Sequence, residues 1–127
     1  MLEIDVSSPE PVYEQIVSQI GLAIRKKLLS ANDKLPPIRQ LATDLEINPN
    51  TVARAYLILE EAGMIETKGR AGSIITTHAE EAFETWLVQL TKTQLSLVWA
   101  KIQTLSLSSE SSKRIWKKAI KELRHEE

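Results

Sequence analysis

The chain has 127 residues, 43% of them apolar and 26% charged, with 16 Lys+Arg against 17 Asp+Glu and no cysteine. That length holds one ordinary domain with a small appendage, and the composition lies far from the low-hydrophobicity regime of disorder. The lack of Cys excludes a disulfide scaffold, a thiolate zinc site and a cysteine nucleophile, and a net charge of -1 argues against holding nucleic acid by bulk electrostatics.

Met1-Leu2-Glu3-Ile4-Asp5 lacks the basic and apolar runs of a signal peptide, and no stretch is long enough to span a bilayer. A cytoplasmic protein with no membrane partner is expected. From Pro11, the positions Val12, Ile16, Ile20, Ala23, Ile24 and Leu28 fall on one face of a first helix. Pro11 suits a first helical turn, and Arg25, Lys26 and Lys27 suit the carbonyl end. Ser30-Ala31-Asn32-Asp33 stops that helix, and Pro36-Pro37 forbids its continuation.

A second, short helix reads from Pro37 to about Leu45 on the stripe Ile38, Leu41, Ala42 and Leu45. Asn48 is a good cap and Pro49 a good first residue for a third helix, which runs to Ala62 and stops at Gly63. Val52, Ala55, Tyr56 and Leu59 make its buried face, whereas Asn50, Thr51, Arg54 and Ile58 lie on another. Met64-Ile65-Glu66-Thr67 and Ser73-Ile74-Ile75-Thr76-Thr77 are β-prone runs joined by Lys68-Gly69-Arg70-Ala71-Gly72, a hairpin with a mobile basic tip. Three helices with a tight turn between the second and third, then a hairpin, describe a winged helix-turn-helix over residues 1–77.

Thr77 and Glu80 form a capping box for a helix that extends to about Leu105. On it Val88, Thr91, Leu95, Val98, Ile102 and Leu105 make a heptad-like seam, with Phe83, Leu87, Leu90 and Leu97 alongside. The serine-rich stretch Ser106 to Ser112 breaks the pattern, and a last helix follows from about Ser112 to Arg124. Two helices of this size cannot make an independent core. The fold class is therefore mainly α with a small β-hairpin: a winged helix-turn-helix followed by a two-helix tail, residues 78–127, that packs on the winged domain, on another copy of itself or on both, shared burial in a dimer being the favoured reading. Leu87 joins the seam residues as the expected dimerisation surface.

A helix-turn-helix sets the first residues of its second helix against base edges in the major groove while the preceding helix crosses the phosphates. Asn50, Thr51 and Arg54 occupy that place. Asn can pair with adenine, Arg with guanine, and a Thr methyl can contact thymine. Arg39 is placed for a phosphate or guanine contact, and Lys68, Gly69 and Arg70 put a wing against the minor groove or the backbone. Surface pairing is the competing reading: Arg39 with Asp44 or Glu46, Arg54 with Glu61.

At these residues the sequence resembles the GntR family of bacterial transcription regulators. The resemblance rests on Leu35-Pro36-Pro37-Ile38-Arg39-Gln40-Leu41-Ala42, Asn48-Pro49-Asn50-Thr51-Val52, Ala55-Tyr56 and Leu59-Glu60-Glu61-Ala62-Gly63-Met64-Ile65. With the Pro11-Val12-Tyr13-Glu14-Gln15-Ile16 opening and the short tail, it is most similar to the YtrA subfamily. The resemblance implies a homodimeric repressor on a palindromic DNA operator, a dimerising tail, and control of ABC-type transporter genes. The wider family pattern has arginines where this chain has Pro49 and Ala53, while Arg39 and Thr51 occupy matching positions.

GntR regulators commonly answer to small molecules, but this tail is too short to enclose a sizeable pocket alone. An unidentified effector would sit between protomers near Trp86, Trp99 or Trp116, although such aromatics are more often packing anchors. An enzyme is not expected, nor a cofactor or metal: His78 and His125 are isolated, and no phosphate-cradling glycine loop is present. The other class in play is a winged-helix protein-interaction module, kept open by the -2 charge of residues 1–78, with 8 basic residues against 10 acidic ones.

Overall fold

A computed structural model describes residues 2–125. In chain order the elements are α1 (Val12–Arg25), α2 (Ile38–Leu45), α3 (Pro49–Ala62), β1 (Ile65–Thr67), β2 (Ser73–Ile75), α4 (Ala79–Ser106) and α5 (Ser109–His125). The backbone divides into two units, the first ending at Trp86 and the second beginning at Leu87. No described helix is long and apolar enough to cross a membrane.

The first unit is built on α3, which packs on both α1 and α2. Val52, Ala55, Tyr56 and Leu59 of α3 are buried with Ile16, Val17, Ile20 and Ile24 of α1 and Leu41 and Ala42 of α2. Each large aliphatic chain removed from water contributes roughly 1.5–3 kcal/mol, so these stripes set how the helices lie. The helix α1 ends at Arg25, a turn short of the expected Leu28. Lys27 turns left-handed at φ 64, and the amides of Leu28 and Leu29 donate back to the Ala23 carbonyl at 2.8 and 3.2 Å. Leu28 is thereby delivered to solvent.

Two glutamines on α1 tie down the segment before it. The Gln15 amide accepts from the Asp5 backbone N–H and donates to the Asp5 and Glu10 carbonyls, each at 2.9 Å. Gln19 does the same for both backbone groups of Glu3. At the other end of the domain, β1 and β2 pair antiparallel with Ile65 opposite Ile75 and Thr67 opposite Ser73. The residues read as a helix stop also serve as a short third edge. The Asn32 amide donates to the Ile75 carbonyl at 2.8 Å, Ile75 returns a bond to Asp33 at 2.9 Å, and Leu35 donates to Ser73 at 2.9 Å.

The helix α4 begins one residue later than a Thr77 capping box requires. The His78 carbonyl accepts the Ala82 amide at 3.0 Å, so His78 holds the cap position. Glu80 turns outward instead and accepts from the Lys27 ammonium at 2.6 Å, which holds its carboxyl below the ordinary carboxylate range. Ala79, Ala82 and Phe83 are buried, so the first turns of α4 belong to the winged unit. Phe83 stacks near Trp86, with ring centroids 6.0 Å apart. Its ring also lies against Gly21, where an added Cβ would stand 2.2 Å from two ring carbons.

In the second unit, α4 turns into α5 at Leu107, whose φ is 65. The break expected in the serine-rich stretch falls here, and α5 starts at Ser109, earlier than the expected Ser112. Ser108 caps α5, accepting the Ser111 amide at 3.1 Å, and the hydroxyls of Ser106 and Ser112 meet at 2.6 Å. Trp99 and Trp116 pack edge to face, centroids 5.6 Å apart. Ser112 is the one side chain classed as buried among the described residues of this unit.

The Gly21–Phe83 approach gives a direct test. Gly21→Ala forces the buried ring out of its place, and overpacking of this kind costs about 1–3 kcal/mol. Thermal or urea unfolding should show that loss. Wild-type stability in the variant would mean that α1 and Phe83 are not packed this closely.

Candidate nucleic-acid interface

The start of α3 is bare because its cap and its first residue are both solvent-facing. Asn48 accepts the Asn50 amide at 2.8 Å through its side chain, and Pro49 needs no partner for a missing N–H. The left-handed Glu46, φ 57, makes the sharp turn out of α2 that brings the chain to this cap. Asn50 is exposed and Thr51 half-buried, at the helix end that carries partial positive charge. The opposite face of α3 is fully committed to the core.

Tyr56 fixes the angle of α2 against α3. Its hydroxyl donates to the Pro36 carbonyl at 2.6 Å, immediately before the Pro37 that precedes α2. Burial pushes the phenol up to about 12, so it remains a donor at any ordinary pH. Arg39 follows in the first turn of α2, exposed. Asp44 is engaged by the Gln40 amide at 2.8 Å, and among the described residues Arg39 has no carboxylate partner, so the competing Asp44 or Glu46 pairing is not made.

Arg54 does not pair with Glu61 either. Its guanidinium carbon lies 3.9 Å from the centroid of the Tyr13 ring on α1. On the wing, Lys68 makes a 3.4 Å ion pair with Glu66, while Gly69 and Arg70 form an exposed 3-10 turn closed by Gly72. Gly72 has φ 78 and ψ -152, a conformation essentially limited to glycine.

Two residues were missed from the sequence. Lys34 forms a bridge with Ile74, and a Cβ on Gly72 would stand 3.3 Å from its Cε, so a third cation lies beside the wing. Tyr13 is the other. A lysine before Leu35-Pro36 and a tyrosine in an apolar helix carry no local mark of these positions; only the tertiary pairing reveals them.

The expected seam on α4 stands open. Val88, Leu95, Val98 and Leu105 are 42–72% exposed, Leu97 is 70% exposed, Thr91 is exposed, and Leu87 and Ile102 are half-buried. No group of His, Asp or Glu suited to a metal is present among the described residues.

Residues 12–75 match the family described as bacterial regulatory proteins, gntR family. The chain is 40% identical over 95 residues to the HTH-type transcriptional repressor YtrA of Bacillus subtilis, covering 75% of this chain and 73% of that protein. Among solved structures, it resembles a transcriptional regulator from Oenococcus oeni, with 32% identity, a TM-score of 0.58, and 94% and 99% of the two chains covered. It also resembles YtrA from Sulfolobus acidocaldarius, a GntR-family transcription factor, with 33% identity, a TM-score of 0.59, and 75% and 97% covered.

Replacing the anchor tests the geometry. Tyr56→Phe removes the donor to the Pro36 carbonyl, on a residue that water can reach, and should cost about 0.5–1.5 kcal/mol of stability. The raised phenol pKa adds a pH signature. The parent is destabilised as pH rises from 10, where the unfolded tyrosine ionises, toward about 12, where the folded one does. The Phe variant should lose the part of alkaline destabilisation due to this phenol, as alkaline denaturation curves of the two proteins would show.

Proposed function

Since the chain belongs to the GntR family of bacterial regulatory proteins and is a DNA-binding transcription regulator rather than an enzyme, we propose that it acts as a homodimeric repressor on a palindromic operator. The observation that carries this reading is the two-faced α3, whose Val52, Ala55, Tyr56 and Leu59 are buried while Asn50 and Arg54 stay exposed, as does Arg39 of the preceding helix. Asn50, Thr51 and Arg54 read the major groove, Arg39 takes a guanine or phosphate, and Lys68, Gly69 and Arg70, joined by Lys34, engage the backbone or minor groove. Residues 1–77 are the DNA-binding part in this reading.

The tail supplies the second half. A helical hairpin with one buried side chain and an open apolar seam gains most by pairing with a copy of itself. Leu87, Val88, Thr91, Leu95, Val98, Ile102 and Leu105 make that contact. Two recognition helices related by a two-fold axis then meet half-sites about one helical turn apart. Following the subfamily resemblance, the regulated genes include ABC-type transporter genes, and an effector, where one acts, binds between protomers.

Two experiments test the two halves. Arg39→Ala should weaken binding to DNA from the protein's own promoter region about tenfold or more, as expected for a lost bidentate contact, with circular dichroism unchanged. Equal affinity in the variant removes Arg39 from the interface. Leu95→Asp combined with Val98→Asp should convert a dimer to a folded monomer in sedimentation and reduce operator affinity by at least about a hundredfold. A charged seam that remains dimeric places the interface elsewhere.

A further inference from the structure

The Arg54–Tyr13 contact joins a helix read as DNA-binding to one that carries no groove residue. A cation lying over an aromatic face within about 6 Å of the centroid is attracted by the ring quadrupole, and 3.9 Å is a stacking distance. The choice of a ring over a carboxylate matters chemically. An Asp or Glu partner would neutralise the guanidinium and occupy its N–H groups; Arg54 makes no such ion pair among the described residues. A ring covers one face of the planar cation and leaves the five N–H donors at its edge free. The charge is thus held in place but not spent, on a side chain that is exposed overall.

We propose that Tyr13 is a positioning residue for DNA recognition: its ring holds the Arg54 guanidinium in place before DNA arrives, so that α1 contributes to operator affinity without contacting a base. This rests on the reading of Arg54 as a DNA-contacting residue. An arginine free in solution loses much rotamer freedom when it is fixed on DNA. The ring removes part of that loss in advance, and Tyr13 is itself held because it belongs to the α1 that α3 packs against.

The test is a double-mutant cycle on operator affinity with the full-length protein, using Tyr13→Leu, Tyr13→Phe, Arg54→Ala and the Tyr13→Leu/Arg54→Ala pair. Tyr13→Leu keeps apolar bulk and removes the π-face. It should weaken binding roughly two- to fivefold per half-site, the scale of an exposed cation–π contact, while Tyr13→Phe binds like the parent. In the Arg54→Ala background, the Leu substitution should have no further effect, whereas a general structural role for Tyr13 would add to it. Melting temperatures measured alongside show that each variant is folded; should Tyr13→Leu not fold, Tyr13→Met takes its place in the cycle. Arg54→Ala weakening binding while Tyr13→Leu does not, or Tyr13→Leu binding tighter, overturns the positioning role alone. An Arg54→Ala variant that binds like the parent overturns the groove assignment of Arg54 beneath it.

Discussion

The first unit depends on the requirement that α3 bury one face completely and keep the other free. Val52, Ala55, Tyr56 and Leu59 meet the first demand by packing into α1 and α2. The second is met by what the helix lacks at its start: an asparagine cap and a proline leave no need for covering structure over Asn50 and Thr51. Tyr56 links the two faces, since its buried ring belongs to the core and its hydroxyl sets the entry of α2 at Pro36. A helix rotated by a few tens of degrees would expose Leu59 and bury Arg54, at a cost of several kcal/mol by ordinary transfer values. Core packing therefore orients the candidate reading surface.

Charge works the same way, locally rather than in sum. A chain of net charge -1 has no bulk attraction for DNA. Locally, Lys27 and Arg25 pair with Glu80 and Glu84, while among the described residues Arg39 has no carboxylate partner and Arg54 rests on a ring. Around the wing, Lys34 and Arg70 accompany a Lys68 that is shared with Glu66. Two of the pairs join the end of α1 to the start of α4, and Arg39 and Arg54 of the helix-turn-helix keep their charge free of carboxylates among the described residues, as Lys26 and the tail lysines Lys92 and Lys101 also do. Composition alone hides this division.

Much of the winged unit was legible because its signals are local. Asn48, Pro49 and Gly63 bound α3 at the residues where the helix begins and ends, and the core stripe of α3 follows from its spacing. What escaped was non-local. Leu28 fits the α1 periodicity, but the left-handed turn at Lys27 ends the helix first. Thr77 and Glu80 have capping-box spacing, yet Glu80 is drawn to Lys27, a partner 53 residues away. The edge pairing of Asp33 and Leu35 with β2, and the stacking of Arg54 on Tyr13, each join residues whose types give no hint of the other. The break read at serines 106–112 does occur, at Leu107 and Ser108, but it is short: Ser108 caps α5, which starts at Ser109 rather than Ser112.

The tail adds an apolar seam on α4 that is open to solvent, the surface on which the proposed dimer rests. The central claim is that a nearly neutral protein binds DNA through a few locally unpaired cations on each protomer. Its most direct test is the salt dependence of binding to promoter DNA. Each phosphate engaged on duplex DNA adds about 0.9 to the slope of log K against log salt. Two protomers each using a few of these cations should give a slope of magnitude about 4 or more, with random DNA bound far more weakly at every salt. A slope near zero, or equal affinity for random DNA, would contradict the account.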